Sequence, residues 1–195
     1  MMSRPVYQKA LKIGFILGSL ATIVGCTAVP SANRFPDQWG LSPDQLEHSS
    51  SSYAKGYQQF KCAVDDQGYY WQYVKTEANL YSLFSEILLI MTDDIPVSAK
   101  LIARSGTKQV FTHMDGSSVR TTRIIYNTPS KNKNNDIPQL FMSAKSSSSG
   151  GRAFDSVKTI FRTETEGGMP NRACSASSLG QFHKSTFSAV YTFRK

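Results

Sequence analysis

The sequence predicts a mainly β protein, an antiparallel β-sandwich or barrel-like single domain with one or two short helices. After Gly56, aromatic and β-branched residues form short runs separated by turn residues, a pattern typical of strands. About seven such runs follow one another at short spacing, as they do in sandwiches and barrels. The chain has 195 residues, a length that suits one domain with a sizeable core.

The first two strands form a predicted hairpin. Residues 57–64 and 69–74 are rich in aromatic residues, and the four residues between them end in Gly68, which suits a tight turn. The further predicted strands are residues 97–103, 109–113, 119–126, 137–142, 154–163 and 187–193. In the strand at residues 154–163, we expect Phe161 on one face and Ile160 and Arg162 on the other.

Two short helices are also predicted. Residues 42–47 begin with Ser-Pro-Asp-Gln, which matches a capping box with proline at the first helical position. Residues 80–91 carry apolar side chains at helical spacing, although a continuous apolar strand over residues 87–91 is the alternative. The residues at that spacing are Leu83, Phe84, Ile87, Leu88 and Met91.

The amino-terminal segment resembles a bacterial lipoprotein signal. Three early positive charges precede an apolar run at residues 13–24, and the run ends in the lipobox Ile-Val-Gly-Cys at residues 23–26. This run is too short to span a bilayer, because a spanning helix needs about 20 apolar residues. We therefore expect cleavage after Gly25 and a diacylglycerol thioether on Cys26. An ordinary cleaved signal peptide and an uncleaved anchor are the alternatives.

The lipobox also predicts the organisation and location of the protein. Residues 1–25 would be the signal peptide, residues 26–52 the lipidated cysteine with a proline- and serine-rich tether, and residues 53–195 the folded domain. An aspartate after the cysteine is the usual signal for inner-membrane retention in enteric bacteria, and this chain has Thr27. We expect the periplasmic face of the outer membrane, with acyl chains providing the membrane binding.

The charge of the chain is basic, with 22 Lys and Arg against 14 Asp and Glu, a formal net charge of +8. Such an excess favours anionic lipid headgroups or acidic polysaccharide. The basic residues are scattered along the sequence, however, and an ordinary soluble surface is the simpler interpretation. No aromatic-and-basic recognition signature is present, so nucleic acid is not an expected partner.

Once Cys26 is assigned to the anchor, two cysteines remain. In an oxidising compartment Cys62 and Cys174 should pair, which would join the first strand to the last part of the domain. Two free buried thiols, or a metal site or nucleophile, are the alternatives. A zinc site needs about four ligands at close local spacing, whereas His48, His113 and His183 stand alone. We expect no metal and no cofactor.

Several short motifs in the second half of the chain resemble, in order and spacing, those of a known protein family. They run from Asp115-Gly116-Ser117 through Ile137-Pro138 and residues 157–168 to Pro170 and Cys174, and the first half adds an opening of Gly56, Gln58, Phe60 and Cys62 followed by Trp71. From about residue 36 to residue 193, the chain is similar to the uncharacterised secreted family catalogued as domain of unknown function three-four-five-five.

This resemblance implies a β-rich exported domain and no established activity. Some relatives carry a dehydrogenase label, but the chain has no glycine-rich strand-to-helix fingerprint for a dinucleotide. The family typically has a histidine, then glycine-proline and a tryptophan, ahead of the aspartate-glycine-serine. This chain shows Ser105, then Lys108-Gln109 and Phe111. If that histidine is functional in relatives, this protein has lost it.

Two sets of polar residues are weak candidates for catalysis. His113, Asp115 and Ser117 suggest a hydrolase triad, but they lie within five residues on a turn, where an aspartate that accepts backbone hydrogen bonds is the simpler interpretation. Glu164 and Glu166 could act as paired carboxylates or cation ligands, and an exposed charged loop is the simpler interpretation. We assign no catalytic residue.

The best candidate for a ligand surface is aromatic. Tyr69, Trp71 and Tyr73 would share one face of a strand, and aromatic rings stack on sugars and apolar groups. Tyr70 lies on the other face. One of these two faces must fill the core, so the ligand surface competes with a packing role.

Taken together, the sequence predicts an uncharacterised envelope lipoprotein, a non-enzymatic binding or structural domain tethered to the membrane. Its expected partners are the membrane itself, through the anchor, and an envelope polysaccharide, lipid or protein. An envelope hydrolase acting on polysaccharide or lipid is the alternative. A pocket that joins Glu164 or Asp115 to a histidine would favour the hydrolase.

Overall fold

The computed structural model describes residues 49–83, 95–147 and 152–195. These residues form one closed antiparallel barrel in which each strand pairs with the next and β8 pairs with β1. No helix within the three ranges is long and apolar enough to cross a membrane. The strands are β1 Ser49–Asp65, β2 Gly68–Ser82, β3 Ala99–Arg104, β4 Val110–His113, β5 Ser118–Thr128, β6 Gln139–Ser146, β7 Thr159–Gly167 and β8 Phe182–Arg194.

The mainly β prediction is confirmed, and the barrel, rather than the sandwich, is the observed arrangement. In β3, Ala99, Leu101 and Ala103 point inward and are buried, while the residues between them are exposed. This alternation is what a sheet with one solvent face requires. The lumen is filled by a single apolar core that includes Leu80, Leu101, Phe111, Met142, Ile160, Tyr191 and Phe193.

The first hairpin is longer than the barrel wall next to it. β1 and β2 have 17 and 15 residues, whereas β3 and β4 have six and four. β3 pairs with β2 only between Lys75 and Leu80, so residues 60–73 project as an arm beyond the barrel. A register shift between Gln59 and Phe60 marks where the arm begins. Its inner face needs another cover, and the β7–β8 connection supplies it.

Strands β1 and β2 also approach each other closely inside the barrel. A Cβ atom added to Gly56 would lie 2.1 Å from the Glu77 carbonyl oxygen and 2.5 Å from the Ala78 Cα. Both of these atoms belong to the backbone and cannot move aside independently. Glycine at this position therefore permits the tight β1–β2 pairing.

Two secondary-structure predictions were wrong about where the element begins. The helix expected from Leu80 does not begin there, because β2 continues to Ser82 with Ala78 and Leu80 alternating into the core. The strand expected over residues 154–163 begins only at Thr159. Phe154 and Val157 are buried, but they lie in a turn and not in a strand. The Ser146 hydroxyl holds this turn, because it donates to the Phe154 carbonyl oxygen and accepts from the Val157 N–H.

Other boundaries differ in detail. β1 begins at Ser49, four residues before the expected start of the domain, and the hairpin turn is shortened to Asp66 and Gln67. A 3-10 turn at Ala176–Ser178 was not expected. The helix predicted over residues 42–47 and most of the one predicted over residues 80–91 lie outside the described residues.

Candidate functional site

The disulfide predicted from the cysteines is confirmed. Cys62 on β1 bonds Cys174 in the β7–β8 connection with an S–S distance of 1.97 Å, across a sequence separation of 112. The Cys62 backbone also pairs with Gln181 and Gly180 at the end of the same connection. These contacts hold the β7–β8 connection on the inner face of the arm.

Only part of the predicted aromatic surface is exposed, and the β7–β8 connection covers Trp71. The Trp71 Nε1 donates to the Arg172 carbonyl oxygen at 2.7 Å, and its ring packs 5.4 Å from the ring of His183. Tyr73 is half-buried, and its hydroxyl bonds Thr76 at 2.9 Å. Only Tyr69 remains largely exposed, at 47%. The structure therefore gives Trp71 and Tyr73 packing roles and does not join the three side chains in one exposed platform.

His183 shows the electrostatic effect of this cover. Burial lowers the pKa of the imidazole, and the positive charge of Arg172 lowers it further. His183 lines a small polar cavity of about 230 Å³ with Asn135, Asn171 and Lys184. No carboxylate lines this cavity, so it does not pair the histidine with an acid.

Asp115 organises a turn and does not serve a triad. Its carboxylate accepts hydrogen bonds from the Ala153 N–H at 2.9 Å and from the Ser117 hydroxyl at 2.6 Å. These hydrogen bonds, that of Ala153 first, hold the pKa of Asp115 well below its usual range. Ser117 is fully buried, and its Oγ accepts from the Phe154 N–H. Because the serine donates to the aspartate and not to His113, the required relay is not formed.

Glu164 and Glu166 are separated by an irregularity in β7. Glu164 has a positive φ of 49°, and the register with β8 shifts between Thr163 and Glu166. Glu166 lines a shallow cavity of about 620 Å³ with Tyr53, Tyr57 and Tyr81. Glu164 does not line this cavity and no histidine does, so the geometry expected of the hydrolase is not seen there.

A groove lies on the outer face of β3, β4 and β5, with a volume of about 810 Å³. We call this surface the basic groove. Its apolar floor is Ile102, which pairs with Val110 across β3 and β4, and these side chains are 51% and 39% exposed. Val110 in turn pairs with Arg120 on β5. The lining residues are Lys100, Ile102, Ala103, Arg104, Thr107, Lys108, Val110, Thr112 and Arg120.

Four of these side chains are cations, and no acid is among them. Within the described ranges, Lys100, Arg104 and Arg120 have no ion-pair partner, while the Lys108 ammonium donates to the Thr122 carbonyl at 2.8 Å. Residues 99–146 contain eight Lys and Arg but two Asp, a formal net charge of +6. Several unpaired cations around an exposed apolar strip form a surface suited to anionic, partly apolar material.

One acid, Glu77, lies beside the groove and lines a neighbouring cavity of about 430 Å³ with Lys100 and Ile102. Glu77 pairs with Ile102 in the β2–β3 register, but its carboxylate accepts from Lys75 at 2.6 Å and from the Tyr57 hydroxyl. These hydrogen bonds, that of Lys75 first, lower the pKa of Glu77. Lys184 lies 4.5 Å from the centre of the Tyr57 ring on the same side. Glu77 is thus neutralised by its β1 and β2 neighbours and does not neutralise Arg104 or Arg120.

Sequence reasoning missed the basic groove because its cations come from separate strands. A usable signal was present in β3, where Lys100, Ile102 and Arg104 stand at every second position and therefore share a face. The turn at Gly106 then returns Val110 to that face. What the sequence does not reveal is the register that places Arg120 beside Val110.

The fold and this surface define a class of protein: a closed, up-and-down β-barrel domain with a disulfide-held arm and a basic outer groove. The chain belongs to the family described as Protein of unknown function (DUF3455), which matches residues 43–195. The family resemblance expected from the sequence is thereby confirmed. Neither a curated protein nor a solved structure matches the chain. Among the described residues, no group of three His, Cys, Asp or Glu is placed to hold a metal ion.

Proposed function

We propose that this protein is a lipid-anchored envelope domain that binds anionic lipid surfaces without catalysing a reaction. The basic groove carries the proposal, because it combines four cations, no acid and an exposed apolar strip. The lipobox at residues 23–26 supports the anchor, although Cys26 lies outside the described residues. The Cys62–Cys174 bond agrees with an exported protein, since disulfides persist in oxidising compartments.

The expected location of the anchor makes a lipid surface the natural ligand. Diacylglycerol on Cys26 would hold the protein at a bilayer, and 22 residues separate that cysteine from β1. Each Lys or Arg near an anionic surface contributes about 1 kcal/mol, and exposed side chains such as Ile102 can enter the interface. The domain would then lie with β3, β4 and β5 against the headgroups of the periplasmic face of the outer membrane.

The groove is tested with the mature chain carrying Cys26→Ser, so that acyl chains do not contribute. A triple variant, Lys100→Glu with Arg104→Glu and Arg120→Glu, should lose most of its binding to phosphatidylglycerol vesicles in a sedimentation assay, and the parent chain should release them as salt rises. The matched control makes the same charge change at exposed Lys131, Lys133 and Lys158.

The control separates a specific surface from net charge. We expect the control variant to keep most of the binding, because its cations do not line the groove. Equal losses in both triple variants would show attraction by total charge alone and would contradict the groove. Binding to an acidic polysaccharide such as alginate, without binding to vesicles, would contradict the lipid ligand.

The anchor has its own test, the intact mass of protein extracted from the membranes of its native host. A mature chain that begins at Cys26 and carries added acyl mass, both lost in Cys26→Ala, is the expected result. A soluble, unacylated chain would contradict the anchor but would leave the groove open to the vesicle assay.

The hydrolase alternative stays a prediction. It requires an acid and a histidine in one pocket, and in the described part of the chain the cavities of Glu166 and His183 are separate.

A further inference from the structure

The first hairpin leaves one edge of the sheet unpaired. β3 pairs with β2 only from Lys75 onward, and the last backbone contact before the arm is the Ser105 N–H donating to the Val74 carbonyl oxygen at 2.8 Å. Within the described residues, no strand pairs with residues 69–73 on the side of β2 away from β1. We call this side of residues 69–73 the arm edge.

The backbone of Trp71 points toward the arm edge. Cys62 lies opposite Trp71 in the β1–β2 register, but its N–H and C=O bond residues 180–181 on the side of β8. Opposite residues in antiparallel strands either bond each other or both point away from each other. The Trp71 N–H and C=O therefore point outward, and those of Tyr69 and Tyr73, two positions away on each side, do the same.

The arm edge lacks the features that usually protect an edge strand. Natural edges are blunted by charged side chains, prolines or bulges. Residues 69–73 are Tyr-Tyr-Trp-Gln-Tyr, with no charge and no proline, and aromatic side chains favour strands. β5 also extends past its pairing with β4, but there Arg123 and two register irregularities interrupt the edge. The arm edge is therefore better suited than β5 to accept another strand.

A second copy of the same arm fits this edge. Two antiparallel copies of residues 69–73, centred on Trp71, place each Trp71 opposite the partner's Trp71 and each Tyr69 opposite the partner's Tyr73. The outward N–H and C=O groups then meet in register, and the contact is the same on both copies. The Trp71 ring does not obstruct the edge, because it leans the other way, to 5.4 Å from the ring of His183 on β8.

The charges at the two ends of the arm favour the same arrangement. The hairpin tip of one copy, with Asp65 and Asp66, would reach the end of β3 in the other copy, where Arg104 lies. Arg104 is exposed and has no ion-pair partner in the described ranges. A parallel arrangement would instead bring the two acidic tips together. Charge complementarity therefore selects antiparallel pairing with a second copy.

We propose that two copies of this chain associate through the arm edge, so that their arms form one continuous sheet across a twofold axis. The contact is short, which predicts a weak, reversible dimer with a dissociation constant in the micromolar range or above. Arg104 also lines the basic groove, but the residues of the arm edge do not. The pairing needs no lipid, so it can hold or fail independently of the lipid-binding proposal.

The test measures the oligomeric state of the mature Cys26→Ser chain by sedimentation velocity at rising protein concentration. The parent should shift from monomer to dimer. Tyr70→Lys with Gln72→Lys should stay monomeric, because Tyr70 lies opposite the partner's Gln72 in this register and like charges there repel. Both side chains are exposed, so this lysine variant should have the melting temperature of the parent.

A mixture of two variants separates edge pairing from a loss of structure. Tyr70→Glu with Gln72→Glu should also be monomeric alone, whereas its equimolar mixture with the lysine variant should form a heterodimer. The matched control is Ile124→Lys with Asn127→Lys, which adds the same two charges at exposed positions of β5. This control should dimerise like the parent.

Amide hydrogen exchange locates the contact within the arm. The amides of Tyr69, Trp71 and Tyr73 should become protected as the concentration of the parent rises. Those of Tyr70 and Gln72 already face β1 and should change little.

Three results would overturn the proposal. The first is a parent chain that stays monomeric at every concentration, and the second is a lysine variant that dimerises as well as the parent. The third is protection of the Tyr69, Trp71 and Tyr73 amides in the monomer, because another segment of the chain would then cover the arm edge.

Discussion

Asp115 shows how one carboxylate connects distant parts of the barrel. It lies in the β4–β5 turn, yet it accepts from the Ala153 N–H beyond β6, and its carbonyl oxygen accepts from Arg152. The hydrogen bonds with Ser117 continue this connection to the buried Phe154 N–H. The turn therefore fixes the segment that closes one end of the core.

The lowered pKa of Asp115 predicts a pH dependence of stability. Because the folded-state pKa lies below the usual 3.8, the ionised carboxylate stabilises the fold at neutral pH, and this contribution is lost as pH falls below that value. Asp115→Asn should therefore have a lower melting temperature than the parent at neutral pH, and the difference between the two should narrow toward acidic pH. Thermal unfolding across pH measures this.

Asp66→Asn, at the exposed tip of the first hairpin, is the matched control and should show little difference from the parent at any pH. If the difference in melting temperature between Asp115→Asn and the parent stayed constant down to strongly acidic pH, a role for the charge of Asp115 would be contradicted. The lost stability would then come from the altered hydrogen-bonding shape of the side chain.

Residue identity also limited what could be predicted. Arg162 was correctly placed opposite Phe161 on a strand, but an arginine is usually exposed, and nothing local to it indicates a lumen. Phe161 is itself buried on the outer side, where it stacks on Phe141 at 4.7 Å between ring centres. Both faces of β7 are thus covered, and an alternating pattern cannot assign such a strand.

At the scale of elements, the arm depends on its disulfide. In the arm, the end of β1 pairs with the start of β2 and with the first residues of β8, and no further strand of the barrel continues the sheet. The disulfide between Cys62 and Cys174 holds the β7–β8 connection across the arm. We expect the double change Cys62→Ser with Cys174→Ser to reduce the free energy of unfolding by about 2–5 kcal/mol. Denaturant unfolding measures the loss.

The control is the parent protein measured in reducing buffer, where its stability should fall to that of the double variant. Amides of the arm should also exchange faster, while those of β3 and β4 change little. A double variant as stable as the oxidised parent would contradict this account of the arm.

Elements were predicted well where alternation is strong and poorly where burial has another cause. β3, β4 and β5 match their predicted positions because Leu101, Phe111 and Val119 alternate with exposed residues. The predicted helix does not begin at Leu80, because Ala78 and Leu80 alternate into the core within β2, which continues to Ser82. The early start at Phe154 was wrong because a turn can fill the end of a barrel.

For the whole molecule, the distribution of charge matters more than its total. In the basic groove, four cations lie on one side of the barrel: Lys100, Arg104, Lys108 and Arg120. The carboxylate of Glu77 is bound instead by Lys75 and the Tyr57 hydroxyl. This asymmetry follows from strand order, because β3, β4 and β5 are consecutive in the barrel. Composition reports the net charge, but only the register brings these cations around Ile102.

A rival surface exists at the tip of the arm. Val64, Tyr69 and Tyr70 are exposed there, and Val64 pairs with Tyr69 across the hairpin. Asp65 and Asp66 form the adjoining turn, which makes this tip less suited to an anionic lipid than the basic groove.

Amide hydrogen exchange of the mature Cys26→Ser chain, with and without phosphatidylglycerol vesicles, tests the central claim most directly. We predict vesicle-dependent protection in β3, β4 and the first half of β5, with little change in the arm. Protection confined to residues 64–70, or no protection anywhere despite vesicle binding, would contradict the basic groove as the lipid-binding surface.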